Sequence, residues 1–285
     1  MLTSILLAMT ISSVMPGTAT PLSKTAVQTD TTSAYATVNG IKMYYEIHGS
    51  GSPLVLIHGG GSTIRTTFGE VLNDFAQHHQ VIAVELQGHG HTEARPGPTT
   101  FEQDADDVAA LLKTLHIQQA DILGFSNGGC TALQIGVRHP EMVHRIVAIS
   151  SFYKREGLPP MFWDMMKKAR LSDMPQPFKD GFLAIRNDPK ALQTMFNQDN
   201  GRMLAFKDWP DDMVRSIKAP TLVLISDQDA ITPEHAVAMY RLLPKGRLMI
   251  MPGQHGEFLG DVLTAKHHSH TPQMAVALID DFLNE

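Results

Sequence analysis

A mostly parallel β-sheet with helices on both faces is the fold this sequence predicts, and three observations predict it. Short apolar runs recur at 54–57, 81–84 and 120–123, and again at 145–150, 221–226 and 247–251. A run with no polar side is a strand buried on both faces, as in a parallel sheet. Segments with apolar residues at helical spacing lie between the early runs, at 64–77, 101–115 and 130–138. Such alternation brings strands together in parallel through crossover helices. Over 151–216 the alternation stops, and the stretch is rich in Met, Phe and Trp, broken by proline and free of strand-like runs. It reads as one helical insertion.

Taken in order, residues 35–38 and 41–48 flank Asn39-Gly40, a pair that supplies the positive φ of a tight hairpin turn. The run 54–57 ends in His58-Gly59-Gly60-Gly61-Ser62, and 81–84 runs into Glu85-Leu86-Gln87-Gly88-His89-Gly90. Residues 64–77 are expected as one helix. Residues 101–115 carry acids early, which suits a helix N-terminus. The helix over 130–138 stops near Pro140, which cannot continue it. Beyond the insertion, Thr232 is a plausible N-cap with Pro233 at the first helical position, and 273–283 is expected as the last helix. The organisation that follows is a core of 35–151 and 217–285, an insertion over 152–216, and a leader over 1–34 outside the fold.

The chain has 285 residues, 43% hydrophobic and 18% charged, enough for one large domain with an insertion. A formal net charge of −6 with no run of Lys and Arg argues against a nucleic-acid partner. The single cysteine, Cys130, excludes an internal disulfide, and its place in a helix suits buried packing. Residues 5–15 form an apolar run too short to span a bilayer comfortably, followed by Gly17 and Ala19. This reads as a signal peptide cleaved near Ala19, giving a secreted or periplasmic protein with no stable membrane partner after removal. The basic residues that usually precede such a run are missing, so an uncleaved tether and a cytoplasmic extension are the alternatives.

Ser126 stands between the run 120–123 and the helical stretch from 130, with Gly124 and Gly128 two residues to either side. A strand-to-helix turn this tight leaves no room for side chains at the flanking positions. It lifts the serine hydroxyl clear of the sheet, above a helix N-terminus that favours negative charge.

These residues resemble the nucleophile elbow of the α/β-hydrolase family, and further elements resemble that family in the same order. His58-Gly59-Gly60-Gly61 ends a strand where the family has its oxyanion loop, and Gly88-His89-Gly90 matches its Gly-His-Gly turn. Ser226-Asp227-Gln228-Asp229 stands at its acid loop, and Pro252-Gly253-Gln254-His255-Gly256 where it carries its histidine. The resemblance spans 35–285 and implies the α/β-hydrolase fold with a helical cap. It also implies Ser126 as nucleophile, His255 as base and Asp229 as acid, with Asp227 as the rival acid. The oxyanion donors it implies are the backbone N–H groups of Asn127 and of Gly60 or Gly61. The chemistry suits these types: imidazole takes the hydroxyl proton near neutral pH, the carboxylate fixes its tautomer, and fixed donors meet the developing oxyanion.

Glu85 stands where the family often has Asp, and Gln87 where it often has Arg, departures expected to alter local bracing. His58 is expected to brace the oxyanion loop, and His89 to be structural. A serine at the nucleophile position disfavours the dehalogenases and epoxide hydrolases of this fold, which attack through a carboxylate. The activity implied is hydrolysis of a carboxylic ester of a small or medium, partly apolar substrate. A lactonase or C–C bond hydrolase on the same residues, an acyltransferase, and a non-catalytic binding protein are the alternatives. Phe162 and Trp163 are expected to contact substrate, with most other large apolar side chains of the insertion packing its own core. No cofactor is implied, and the histidines at 267, 268 and 270 are expected in a surface loop rather than around a metal.

Overall fold

A computed structural model describes residues 31–266 and 268–285. The apolar run expected to direct export, and the cleavage position near Ala19, lie outside the described residues. The hairpin forms from β1 (Thr31–Val38) and β2 (Ile41–His48), with Val38 opposite Ile41 across Asn39-Gly40. Pairing begins at Thr31 opposite His48, so the strand starts four residues ahead of the expected boundary at 35.

The remaining strands are β3 (Ser52–Ile57), β4 (His79–Val84), β5 (Ala120–Phe125), β6 (Val143–Ile149), β7 (Thr221–Gln228) and β8 (Gly246–Gln254). They form one eight-stranded sheet in the order β1-β2-β4-β3-β5-β6-β7-β8. Among the described residues, only the pairs β1–β2 and β2–β4 are antiparallel. The all-apolar runs have the reason expected of them. Val55 and Ile57 face one core with Val108, Leu112 and Leu133, while Leu54 and Leu56 face a second with Phe68, Phe75 and Phe282. Both faces of the sheet are therefore buried, and the burial of its side chains dominates the stability.

The helix expected over 64–77 is two short ones, α1 (Ile64–Phe68) and α2 (Leu72–Phe75). Thr63 and Thr66 cap α1 reciprocally, and the chain breaks at Gly69, a poor helix former. Phe68, Val71, Leu72 and Phe75 all reach the core across the break, at the i, i+3, i+4, i+7 spacing that a single helix would also have presented. On the other face lie α3 (Phe101–Thr114), capped by Thr100, and α4 (Asn127–Arg138). The chain ends with α9 (Pro233–Leu242), capped by Thr232, and α10 (Thr271–Leu283).

Between β6 and β7 the chain carries α5 (Pro160–Lys168), α6 (Gln176–Ile185), α7 (Pro189–Ala205) and α8 (Asp211–Arg215), with no strand. The prolines that looked like breaks open α5, α6 and α7, where a missing N–H costs nothing. A small core of Met174, Phe182, Leu192 and Met195 holds the insertion together. Phe152, Trp163, Phe206 and Trp209 instead join the large core of the sheet.

Candidate active site

Ser126 follows β5 directly and caps α4 with φ 55° and ψ −118°, a conformation costly to any residue with a side chain. The flanking glycines are required by contact. A β-carbon on Gly124 would lie 2.0 Å from the Gly128 carbonyl oxygen, and one on Gly128 2.2 Å from that of Ile57. Ser126 N–H donates to the Ile149 carbonyl at 2.8 Å, which ties the turn to the end of β6.

At the ends of β7 and β8, Asp229 and His255 meet with Oδ1 and Nδ1 2.7 Å apart. The carboxylate is fully buried and takes two further hydrogen bonds, from Ser150 Oγ at 2.6 Å and from Ile231 N–H at 3.0 Å. Burial opposes its charge, but these donors and His255 hold its pKa below the usual carboxylate value. Burial likewise opposes a charged His255, and the Asp229 bond and charge outweigh it, so the imidazole pKa is raised. Because a carboxylate only accepts, Nδ1 carries a hydrogen, and Nε2 of the neutral ring holds the free lone pair. The ring packs on Phe125, the neighbour of Ser126, with centroids 4.7 Å apart. Thr264 Oγ1 donates to the His255 carbonyl at 2.9 Å and fixes the loop behind it.

Asp227 is turned away, accepting the Gly253 N–H at 2.9 Å and joining the β7 loop to the β8 loop. Ser150 carries no sequence signal beyond its place at a strand end. Its φ of 48° is a second strained serine at the site, and it aims the hydroxyl at Asp229.

Ser126, Asn127, Gly60, Gly61 and His255 line one cavity of about 760 Å³. Its apolar wall comes largely from the insertion, including Phe162, Met165, Met166, Phe178, Phe196 and Met203. More of the insertion's large side chains face the cavity than expected, because α7 lies across it. Trp163 is a correction. It is buried away from the cavity, its Nε1–H on the Arg155 carbonyl at 2.9 Å and its ring under the Arg155 guanidinium at 3.6 Å.

Gly61 is a second correction. Its N–H donates to Asp199 Oδ2 at 2.6 Å, so of the two candidate donors it is Gly60 whose N–H has no hydrogen-bond partner among the described residues. Asp199 belongs to α7 and also accepts from His89 Nε2 at 2.9 Å and from Arg202. Arg202 reaches on to Asp104 of α3. His89 Nδ1 meets the Gln87 carbonyl at 3.0 Å, so both ring nitrogens face acceptors and the ring is an imidazolium. Burial opposes that charge, and Asp199 outweighs it to raise the pKa. His58 differs: Nδ1–H donates to the Gly59 carbonyl at 2.7 Å and Nε2 accepts the Leu86 N–H at 3.1 Å. Burial, with the His89 charge beside it, drives its pKa down to about 3, so it stays neutral and braces the glycine loop that follows β3. Glu85 braces the next turn, accepting from His91 N–H at 2.7 Å and meeting His91 Nδ1 at 2.8 Å.

Sheet order, elbow and cavity define a hydrolase of the α/β-hydrolase fold. A family model described as alpha/beta hydrolase fold matches residues 52–180. The 2-hydroxymuconate semialdehyde hydrolase of Pseudomonas sp. (strain CF600) is 28% identical over 269 residues, covering 86% of this chain and 92% of its own. The human serine hydrolase BPHL is 27% identical over 277 residues, covering 87% and 89%. The crystal structure of the enol-lactonase from Burkholderia xenovorans LB400 superposes with a TM-score of 0.70 at 22% identity, covering 88% of this chain and all of that one.

Proposed function

We propose that the chain is a serine hydrolase cleaving a carboxylic ester of a small or medium, partly apolar substrate. Ser126 Oγ attacks the carbonyl while His255 Nε2 takes its proton, and Asp229 stabilises the imidazolium and holds the tautomer. The oxyanion is met by the N–H groups of Gly60 and Asn127, each worth roughly 3–4 kcal/mol of barrier if it behaves like other oxyanion donors. His255 then protonates the leaving alcohol and activates a water that hydrolyses the acyl-enzyme. The helical insertion acts as a cap whose Phe162 limits the acyl group.

The observation that carries this reading is the Asp229–His255 contact of 2.7 Å, with Nε2 uncommitted in the cavity that Ser126 also lines. A panel of p-nitrophenyl esters of rising acyl length, run beside simple lactones, tests it. Ser126→Ala should lose about 10⁴-fold or more in kcat with the fold intact, and Phe162→Ala should move the preference toward longer chains. A Ser126→Ala variant keeping a tenth of the activity refutes the assignment. Lactones cleaved faster than every ester would place the substrate among cyclic esters, with the same residues at work.

A further inference from the structure

Among the described residues, three charged side chains other than His255 line the cavity: Lys168, Asp173 and Asp199. Lys168 and Asp173 are exposed, whereas Asp199 lies within, its Oδ2 3.3 Å from the point where a β-carbon on Gly60 would sit. A carboxylate therefore stands beside the loop that would receive the reacting carbonyl oxygen. Its negative form is secured by three donors, Gly61 N–H, His89 and Arg202.

The two cations of this network do not line the cavity. Arg202 is 3% exposed, divided between Asp104 and Asp199 and set over the Phe101 ring at 5.0 Å. An arginine at the base of a catalytic pocket is the natural anchor for a carboxylate, through its fork of N–H donors. Here that fork is already engaged, and His89 is sealed between Asp199 and the Gln87 carbonyl. What the cavity presents next to the oxyanion loop is thus the anion alone, with its neutralising partners behind it.

We infer that Asp199 is a specificity-determining residue that restricts this site to acyl groups uncharged next to the scissile carbonyl and rejects a carboxylate there. The inference rests on Ser126 acting as proposed. At separations of a few ångströms, two like charges in a partly dry pocket repel enough to cost about tenfold or more in kcat/KM, after allowance for the cations behind Asp199.

Mono-p-nitrophenyl fumarate and methyl p-nitrophenyl fumarate test this, since they differ by one charge and the trans double bond keeps the carboxylate from attacking its own ester. The wild type should prefer the methyl compound by about tenfold or more beyond the ratio of their uncatalysed hydrolysis rates. Asp199→Asn should lower both rates, because the Gly61 clamp is weakened, and bring their ratio to within about threefold of the uncatalysed one. The ratio is a readout that loss of structure alone does not move. Should Asp199→Asn not fold, reversible inhibition of the wild type by trans-2-carboxyvinylboronic acid and its methyl ester decides, the acid binding about tenfold more weakly or worse. A wild-type ratio equal to the uncatalysed one, equal affinity of the two boronates, or an unchanged ratio in folded Asp199→Asn overturns the inference and leaves the hydrolase reading standing. Turnover of neither ester, with no labelling of Ser126 by an organophosphate, defeats that reading and this inference together.

Discussion

Two aspartate–histidine pairs flank the same cavity. Asp229 meets His255 at 2.7 Å, and Asp199 meets His89 at 2.9 Å. By residue type and distance they are nearly the same object, yet the remaining nitrogen of each ring differs. His255 Nε2 is uncommitted and the side chain is 33% exposed, which leaves the ring free for the proton transfer proposed above. His89 Nδ1 is taken by the Gln87 carbonyl and the side chain is 3% exposed, so the ring is locked as a cation and can only hold structure. A carboxylate beside a histidine thus defines a charge, and the second nitrogen decides whether that charge can turn over.

The most severe way to break the comparison is to neutralise each pair in turn. Asp229→Asn should cost roughly 10⁴-fold in kcat with folding preserved, because the amide favours the wrong imidazole tautomer. His89→Gln should cost kcat only about tenfold while lowering the melting temperature, since it weakens a brace and removes no reacting group. Equal kinetic losses from the two variants would erase the distinction.

The pH profile sharpens it further. His255 must be neutral to act, and its folded pKa is raised, first against burial and then by Asp229. The acid limb of kcat/KM should therefore lie above the ordinary imidazole pKa of about 6.5, falling roughly tenfold per pH unit below it. The ion pair's contribution to stability runs the opposite way: it is complete below the unfolded pKa and lost as pH rises through the folded one. An acid limb well below 6.5 would contradict the bond to Asp229.

A smaller effect separates His58 from both pairs. Its folded pKa, down to about 3, lies below the unfolded one, so acid protonates the unfolded chain first. Between pH 7 and pH 5 this one side chain should remove about 2 kcal/mol of stability. His58→Gln keeps an acceptor for the Leu86 N–H and should flatten that part of the pH dependence, measured by denaturant unfolding at both pH values. The smallest expected effect is Asp227→Asn, which loosens only the contact to Gly253. A kinetic loss below about threefold with a modest fall in melting temperature is expected, and a loss near that of Asp229→Asn would move the acid role to Asp227.

How much of this was legible in the chain follows from the range of the interactions. Strands, crossover helices and the elbow came through, because apolar runs, helical spacing and the glycines at 124 and 128 act on close neighbours. Asp229 rather than Asp227 was what the resemblance at the acid loop implied, and it is Asp229 that meets His255 while Asp227 holds Gly253. The break at Gly69 was missed because Phe68, Val71, Leu72 and Phe75 keep the apolar spacing of one continuous helix across it, so the pattern reads straight through the glycine. Trp163 was misplaced because a sequence shows that a ring is apolar but not which side of its helix meets solvent, core or cavity.

What the sequence by itself determined is the α/β core, the elbow that strains Ser126, and the residue types able to meet it. Only the tertiary structure decided the charge at the floor of the cavity. Asp199 and Arg202 are three residues apart on a helix, a spacing that reads as an ordinary solvated ion pair. Their meaning comes from partners at sequence separations of 138 for Gly61, 110 for His89 and 98 for Asp104. Burial then lowers the local dielectric and turns a weak surface pair into a fixed charge, and no local pattern records which distant donors will close around it.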